Sequence, residues 1–157
     1  MSPGVNPRLS IIVPALDEAP RVPTLRRHLM AVAPEAEHLL VDGGSTDGTA
    51  EIAEQAGFVV LRSQRGRAPQ MNAGAAVARA ETLLFLHADT RLPVGVGAAV
   101  ERCLSGGAAL GGFTLRLDDR RPSLRLMEWG AGVRSRLLGL PLGDQALFCR
   151  RDTFQTL

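Results

Sequence analysis

The chain has 157 residues, 45% of them hydrophobic, with 18 basic and 16 acidic side chains and a net charge of +2. That is one domain with a normal buried core, and with no apolar run near ~18 residues it excludes a membrane-spanning helix. Near-balanced charge and an aromatic content of 4% argue against a nucleic-acid partner, which needs a basic face and stacking rings. All eighteen basic residues are arginine, which reads as a composition bias and not as chemistry. Residues Met1 to Leu9 lack the basic and apolar regions of a secretory signal. Cys103 and Cys149 form no metal-ligand or redox spacing, as expected for two reduced thiols in a cytoplasmic protein.

The first element in chain order is a buried strand, Leu9 to Val13, stopped by Pro14. A helix is expected over Pro20 to Ala33, with Val22, Leu25, Leu29 and Val32 on one face. A second strand covers His38 to Val41. The next helix is expected to be capped by Ser45 or Thr46, with Asp47 suiting its positive end and Gly57 closing it. Phe58 to Leu61 is a third strand, Ser63 to Ala68 a basic loop, and Pro69 opens an alanine-rich helix to about Ala80. Thr82 to Leu86 is a fourth strand running on to Asp89, and Pro93 to Leu104 a further helix. Ala108 to Leu117 reads as extended, Pro122 to Leu140 as a helix, and Gln145 to Cys149 as a last strand. Strands alternating with helices imply an α/β fold, a mainly parallel sheet with helices on both faces.

Two strands end in an acid at the edge where open α/β sheets place their ligands. Asp42, before Gly43 and Gly44, suits a base N–H or a ribose hydroxyl, and equally an Asx turn. The two glycines allow a tight turn and close approach to a ligand. His87 and Asp89, two residues apart, present a pair of metal-ligand types on one side; a hard divalent ion on a diphosphate needs a carboxylate and open positions. His87 alone equally reads as a satisfied histidine at a strand end. Arg62, Arg65 and Arg67 cluster before the alanine-rich helix, where guanidinium groups hold phosphates in pairs of hydrogen bonds or simply stay solvated. Gly74, inside that helix, costs stability unless something packs close. The segment Arg121 to Leu140 has the pattern of a basic amphipathic helix, packed on the sheet or lying on a membrane surface as a peripheral contact.

Ser10-Ile11-Ile12-Val13-Pro14 with Asp17-Glu18, Val41 through Thr49, Gly66-Arg67-Ala68 through Asn72-Ala73-Gly74, and Phe85 through Thr90 come in one order. Together they resemble the family 2 glycosyltransferases, which have the GT-A fold. Gly143 through Phe148 with Arg150-Arg151 is similar to a later segment of one bacterial subgroup. The resemblance implies transfer of a sugar from a UDP- or GDP-linked donor to an acceptor, with inversion and with Mn²⁺ or Mg²⁺ on the diphosphate. It places Pro14 and Glu18 at the border of the nucleotide pocket, Asp42 on the base and Arg67 near the phosphates. Gly43, Asn72 and His87 complete the donor set, and Asp89 matches the final, metal-binding acid of an Asp-x-Asp motif.

Four departures stand out. Asp17 stands where Asn is more usual, Gly43 replaces a frequent second Asp, and His87 replaces the first acid of Asp-x-Asp. A Glu-Asp pair, which supplies the family's catalytic base, occurs nowhere in the sequence. Asp144 is the acid expected to substitute, and the domain is expected to lack the segment that carries the base. A second reading is therefore a nucleotide-sugar-binding or assembly module without turnover. A third, a nucleotidyltransferase, calls for a glycine-rich loop where Pro14-Ala15-Leu16-Asp17-Glu18 stands. Uncovered apolar surface near Phe148 and Phe154 is expected to favour a homodimer.

Overall fold

The structure, a computed structural model, describes residues 7–113 and 146–156. Among these, β1 (Leu9–Ala15), α1 (Val22–Val32), β2 (Glu37–Asp42), α2 (Thr49–Ala56), β3 (Val59–Arg62), α3 (Arg67–Val77) and β4 (Thr82–Phe85) alternate strictly. They are followed by α4 (Val96–Ser105), β5 (Leu110–Gly112), β6 (Leu147–Arg150) and a short α5 (Arg151–Gln155). The strands form one sheet in the order β3-β2-β1-β4-β6-β5. The first four are parallel, and β6 runs antiparallel to both β4 and β5.

Strands β1, β2 and β4 are buried at nearly every position because helices cover both faces of the sheet. Ile11, Val13 and Ala15 point to one face, where Val22, Leu25 and Leu29 of α1 and Val96 and Val100 of α4 pack on them. Ile12, Leu39, Val41, Leu83 and Phe85 point to the other, against Ala75 and Ala78 on and just after α3. Gly74 is the point of closest approach. A Cβ there would lie 2.5 Å from Ile12 Cγ2 and 3.1 Å from Val41 Cγ2, so the glycine lets α3 sit directly on the sheet.

Several boundaries differ from the sequence reading. Pro14 does not stop β1, which continues to Ala15 paired with β2. Ile12 O accepts Leu86 N of the β4 side, and Ala15 O accepts Gly43 N of the β2 side. Backbone groups alternate sides along a strand, so the N–H that Pro14 lacks would face β4 beyond that strand's last paired residue. Helix α2 begins at Thr49 behind Gly48 in the left-handed region (φ 85°), and neither Ser45 nor Thr46 caps it; both are used elsewhere, as described below. Helix α3 opens at Arg67, two residues before Pro69. Phe148, expected to be uncovered, is 4% exposed: its ring packs on Gly111 and lies 5.5 Å from that of Phe113. Phe154 is half-buried, 5.0 Å from Phe85. Cys103 is exposed and Cys149 buried, both as free thiols, and burial pushes Cys149 up to about 11. Among the described residues no helix is long and apolar enough to cross a membrane. The helix expected over residues 122–140 lies outside the described residues.

His38, on the α1 face of β2, is buried between Arg26 and Phe58. Its Nε2–H donates to Ala33 O at 3.0 Å and its Nδ1 accepts from the Arg26 guanidinium. Burial, then the Arg26 charge, holds the imidazole neutral and lowers its pKa to about 4 from an ordinary 6.5.

Two predictions follow from this packing. The unfolded chain takes up the His38 proton first, so stability is full above about pH 6.5 and is lost as pH falls towards 4. Urea unfolding should show about 2 kcal/mol less stability at pH 5 than at pH 7.5, and His38→Gln should flatten that slope. Gly74→Ala should destabilise by about 1–3 kcal/mol, because overpacking outweighs the helix propensity gained; a midpoint in urea equal to wild type would contradict the close packing of α3.

Candidate functional site

The carboxyl edge of the sheet is built from the loops that follow β1, β2 and β4. The first two loops are laced together. Asp17, the one non-glycine among the described residues with positive φ (53°), donates its N–H to Ser45 Oγ at 2.9 Å and accepts Thr46 N at 2.8 Å. Glu18 N donates to Thr49 Oγ1 at 2.8 Å, and Ala19 N to Asp47 Oδ2 at 3.0 Å. Asp47 also accepts Thr49 N at 3.0 Å, and the Thr49 hydroxyl chiefly holds its carboxyl below the usual range. Either Asp or Asn suits position 17, since both tolerate the left-handed region and carry a short acceptor.

Asp42, 3% exposed, turns its carboxylate into its own loop. It accepts Gly44 N at 3.1 Å, Ser45 N at 3.2 Å and the Ser45 hydroxyl, so an Asx-type turn is present. Pro14, half-buried, and Gly43 flank it on the ends of β1 and the loop after β2. Glu18 pairs with Arg21.

On the other side of β1, the Leu86 N to Ile12 O bond carries the chain one residue past β4 and delivers His87, Ala88 and Asp89. Arg67, first residue of α3, brings Nη2 to 3.5 Å from His87 Nδ1; a guanidinium only donates, so Nδ1 is the acceptor. Asp89 is exposed, and among the described residues its carboxylate accepts one long bond, from Thr90 Oγ1 at 3.3 Å. It lines a cleft of about 280 Å³ between α1 and the loop after β4, together with Arg21, Thr24, His28 and Arg91. His28 accepts Leu92 N at 2.9 Å, and burial, then the Arg91 charge, lowers its pKa.

The structure thus brings Pro14, Glu18, Asp42, Gly43, Arg67, His87 and Asp89 to one edge, with Asp42 and Asp89 flanking β1. Asn72 is not on the packed side of α3: it is exposed, roughly opposite Gln70 and Gly74 about the helix axis. Arg62 pairs with Glu51 at 3.0 Å on the surface. Asp144 lies outside the described residues. Among the described residues no three His, Cys, Asp or Glu side chains converge as a ready metal site. Asp89 nevertheless fits a hard divalent ion that brings its other ligands with it, because its exposed oxygens are nearly unengaged.

One residue at this edge escaped the sequence reading. Gln70, 5% exposed, donates from Nε2 to Ala15 O at 2.7 Å and to Val41 O at 2.8 Å, joining the ends of β1 and β2. The available signal was a long polar side chain four residues before Gly74, on the face that packs against the sheet.

Comparison with known proteins agrees with this architecture. The family model described as glycosyl transferase family 2 matches residues 10–148. No curated protein matches the chain significantly. Among solved structures, a mannosyltransferase from Pyrobaculum calidifontis in complex with GDP-Man and Mn²⁺ is 20% identical with a TM-score of 0.73, covering 98% of this chain and 48% of that one. Glucosyl-3-phosphoglycerate synthase from Mycobacterium tuberculosis, in complex with Mn²⁺, UDP-Glc and phosphoglyceric acid, is 19% identical with a TM-score of 0.64, covering 92% and 57%. S. aureus TarS 1-349 in complex with UDP-GlcNAc is 21% identical with a TM-score of 0.61, covering 73% and 36%. These TM-scores show a shared GT-A fold, and the chain spans about half the length of the first two structures.

Asp42→Ala should strand the Gly44 and Ser45 donors and destabilise the chain by about 1–3 kcal/mol. Urea unfolding without any ligand checks this; wild-type stability would mean that the turn does not depend on the carboxylate.

Proposed function

The chain belongs to glycosyl transferase family 2, and from that membership we propose that it binds a UDP- or GDP-linked sugar at the carboxyl edge and transfers the sugar to an acceptor with inversion. The observation that carries the reading is the placing of two acids, Asp42 at the end of β2 and Asp89 in the loop after β4, on either side of β1. Supporting it, two of the structures named above hold GDP-Man or UDP-Glc together with Mn²⁺.

In this reading the Asp42 side receives the uncharged nucleoside. Its loops are fixed by bonds between them, and fixed acceptors discriminate hydrogen-bonding partners. The Asp89 side receives the diphosphate. Arg67, at the mouth of α3 beside His87, supplies positive charge for phosphate oxygens. Asp89 would hold Mn²⁺ or Mg²⁺, which when bound supplies Lewis-acid stabilisation of charge on the leaving nucleotide. Inversion also requires a carboxylate to take the acceptor's hydroxyl proton, the role given to Asp144.

Calorimetric titration with UDP, GDP and their sugars, with and without Mn²⁺, tests the reading when donor hydrolysis is followed in the same samples. Metal-dependent binding with slow hydrolysis is expected, and no binding to any of these ligands would overturn it. Binding with no turnover would favour the assembly-module reading instead. Asp89→Ala should reduce Mn²⁺-dependent nucleotide affinity by at least about tenfold, the scale of a lost charged contact. Its thermal midpoint should stay at the wild-type value, because the side chain is exposed; unchanged affinity would remove Asp89 from the metal role.

A further inference from the structure

Among the described residues Gln70 is the one buried amide side chain at the carboxyl edge, and its orientation is dictated by its partners. Ala15 O and Val41 O are both carbonyl oxygens and accept only. The amide nitrogen must therefore face them, and its two hydrogens are both used. What remains is Oε1. Among the described residues it accepts no hydrogen bond, yet no buried side-chain oxygen or nitrogen lacks a partner. Oε1 therefore keeps contact with solvent although the residue is 5% exposed. It sits beside Gly43: a Cβ built there would lie 3.0 Å from Gln70 Cδ and Nε2 and 3.2 Å from Oε1. A larger residue at 43 would press on the amide, which gives a physical reason for glycine at this position.

We propose that Gln70 is a specificity-determining residue of the donor site, held by the ends of β1 and β2 as a fixed acceptor for an N–H or O–H of the donor's nucleoside. This rests on the donor-site reading given above. Gln70 stands at the Asp42 side, where the last residue of β1 and the penultimate residue of β2 meet. With both donors committed, the side chain presents its oxygen without the freedom to flip, so a partner that accepts there is rejected and one that donates is selected.

The test compares UDP and GDP with inorganic pyrophosphate, each titrated in Mn²⁺ by calorimetry. Gln70→Met keeps volume and helix propensity but removes the acceptor together with the two donors to Ala15 O and Val41 O, so its melting temperature is measured alongside. It should weaken whichever nucleotide the wild type binds by about 3- to 10-fold, the scale of one hydrogen bond, while pyrophosphate affinity stays unchanged. Gly43→Ala keeps Gln70 and displaces its amide, and should produce the same selective loss. It carries the test if Gln70→Met does not fold. Equal weakening of nucleotide and pyrophosphate, or a lower melting temperature with nucleotide affinity intact, would overturn the acceptor role and leave the donor reading standing. A wild-type chain that binds neither nucleotide would overturn both.

Discussion

The backbone groups left over where β1 and β2 end must find partners, and the loop after each strand supplies them to the other. Glu18 and Ala19 donate across to Thr49 and Asp47, while Asp17 both donates to Ser45 and accepts from Thr46. Each such bond is worth about 1 kcal/mol net, but a buried group left unmade costs more. The lacing therefore acts as a unit that fixes one loop relative to the other. It also explains the positive φ of Asp17, a conformation that the bonds on both sides of the residue hold in place. Everything proposed for the Asp42 side depends on this mutual satisfaction.

The opposite edge of the sheet is closed by different chemistry. Glu37, its side chain 4% exposed, accepts the Ser10 hydroxyl at 2.6 Å, Arg79 N at 2.8 Å and Arg79 Nε at 2.6 Å. Ser10 Oγ in turn accepts Ala80 N at 3.2 Å. Burial pushes the Glu37 carboxyl up, and the hydrogen bonds from Arg79 and Ser10 outweigh it, so the net shift is downward. A buried charge is tolerated only when paired and bonded in this way. The network ties β1, β2 and the turn between α3 and β4, so the register that carries Asp42 to the far edge is set at both ends.

The alternation of elements was legible because apolar runs broken by glycine and acid leave few alternatives. β1, β2 and β4 and the packed faces of α1 and α4 were visible in that pattern. The boundaries were less so. Pro14 looks like a strand terminator until the partner strands are known, since a missing N–H matters only where a neighbour would accept it. Ser45 and Thr46 have the composition of caps, but a capping residue is also the best bridge to a second loop, and tertiary pairing took them. At the site, both acids were found because each follows an apolar run, Asp42 as the last residue of β2 and Asp89 in the loop after β4. Gln70 was not, because it lies inside a helix and its partners are backbone carbonyls 29 and 55 residues away, which no local pattern encodes.

The two acids differ in a way that suits different ligand parts. Asp42 is buried with its oxygens already receiving donors from Gly44 and Ser45, so its position is fixed and little of its accepting capacity remains. Asp89 is exposed and almost unengaged, so its charge is available but its side chain is not held. An uncharged nucleoside is recognised by directional bonds, which demand fixed partners. A diphosphate is held by charge, which falls off slowly with distance and tolerates an adjustable partner. On the donor reading, rigidity at the Asp42 side therefore sets which nucleotide binds, while the exposed carboxylate at Asp89 governs how tightly its charged part is held.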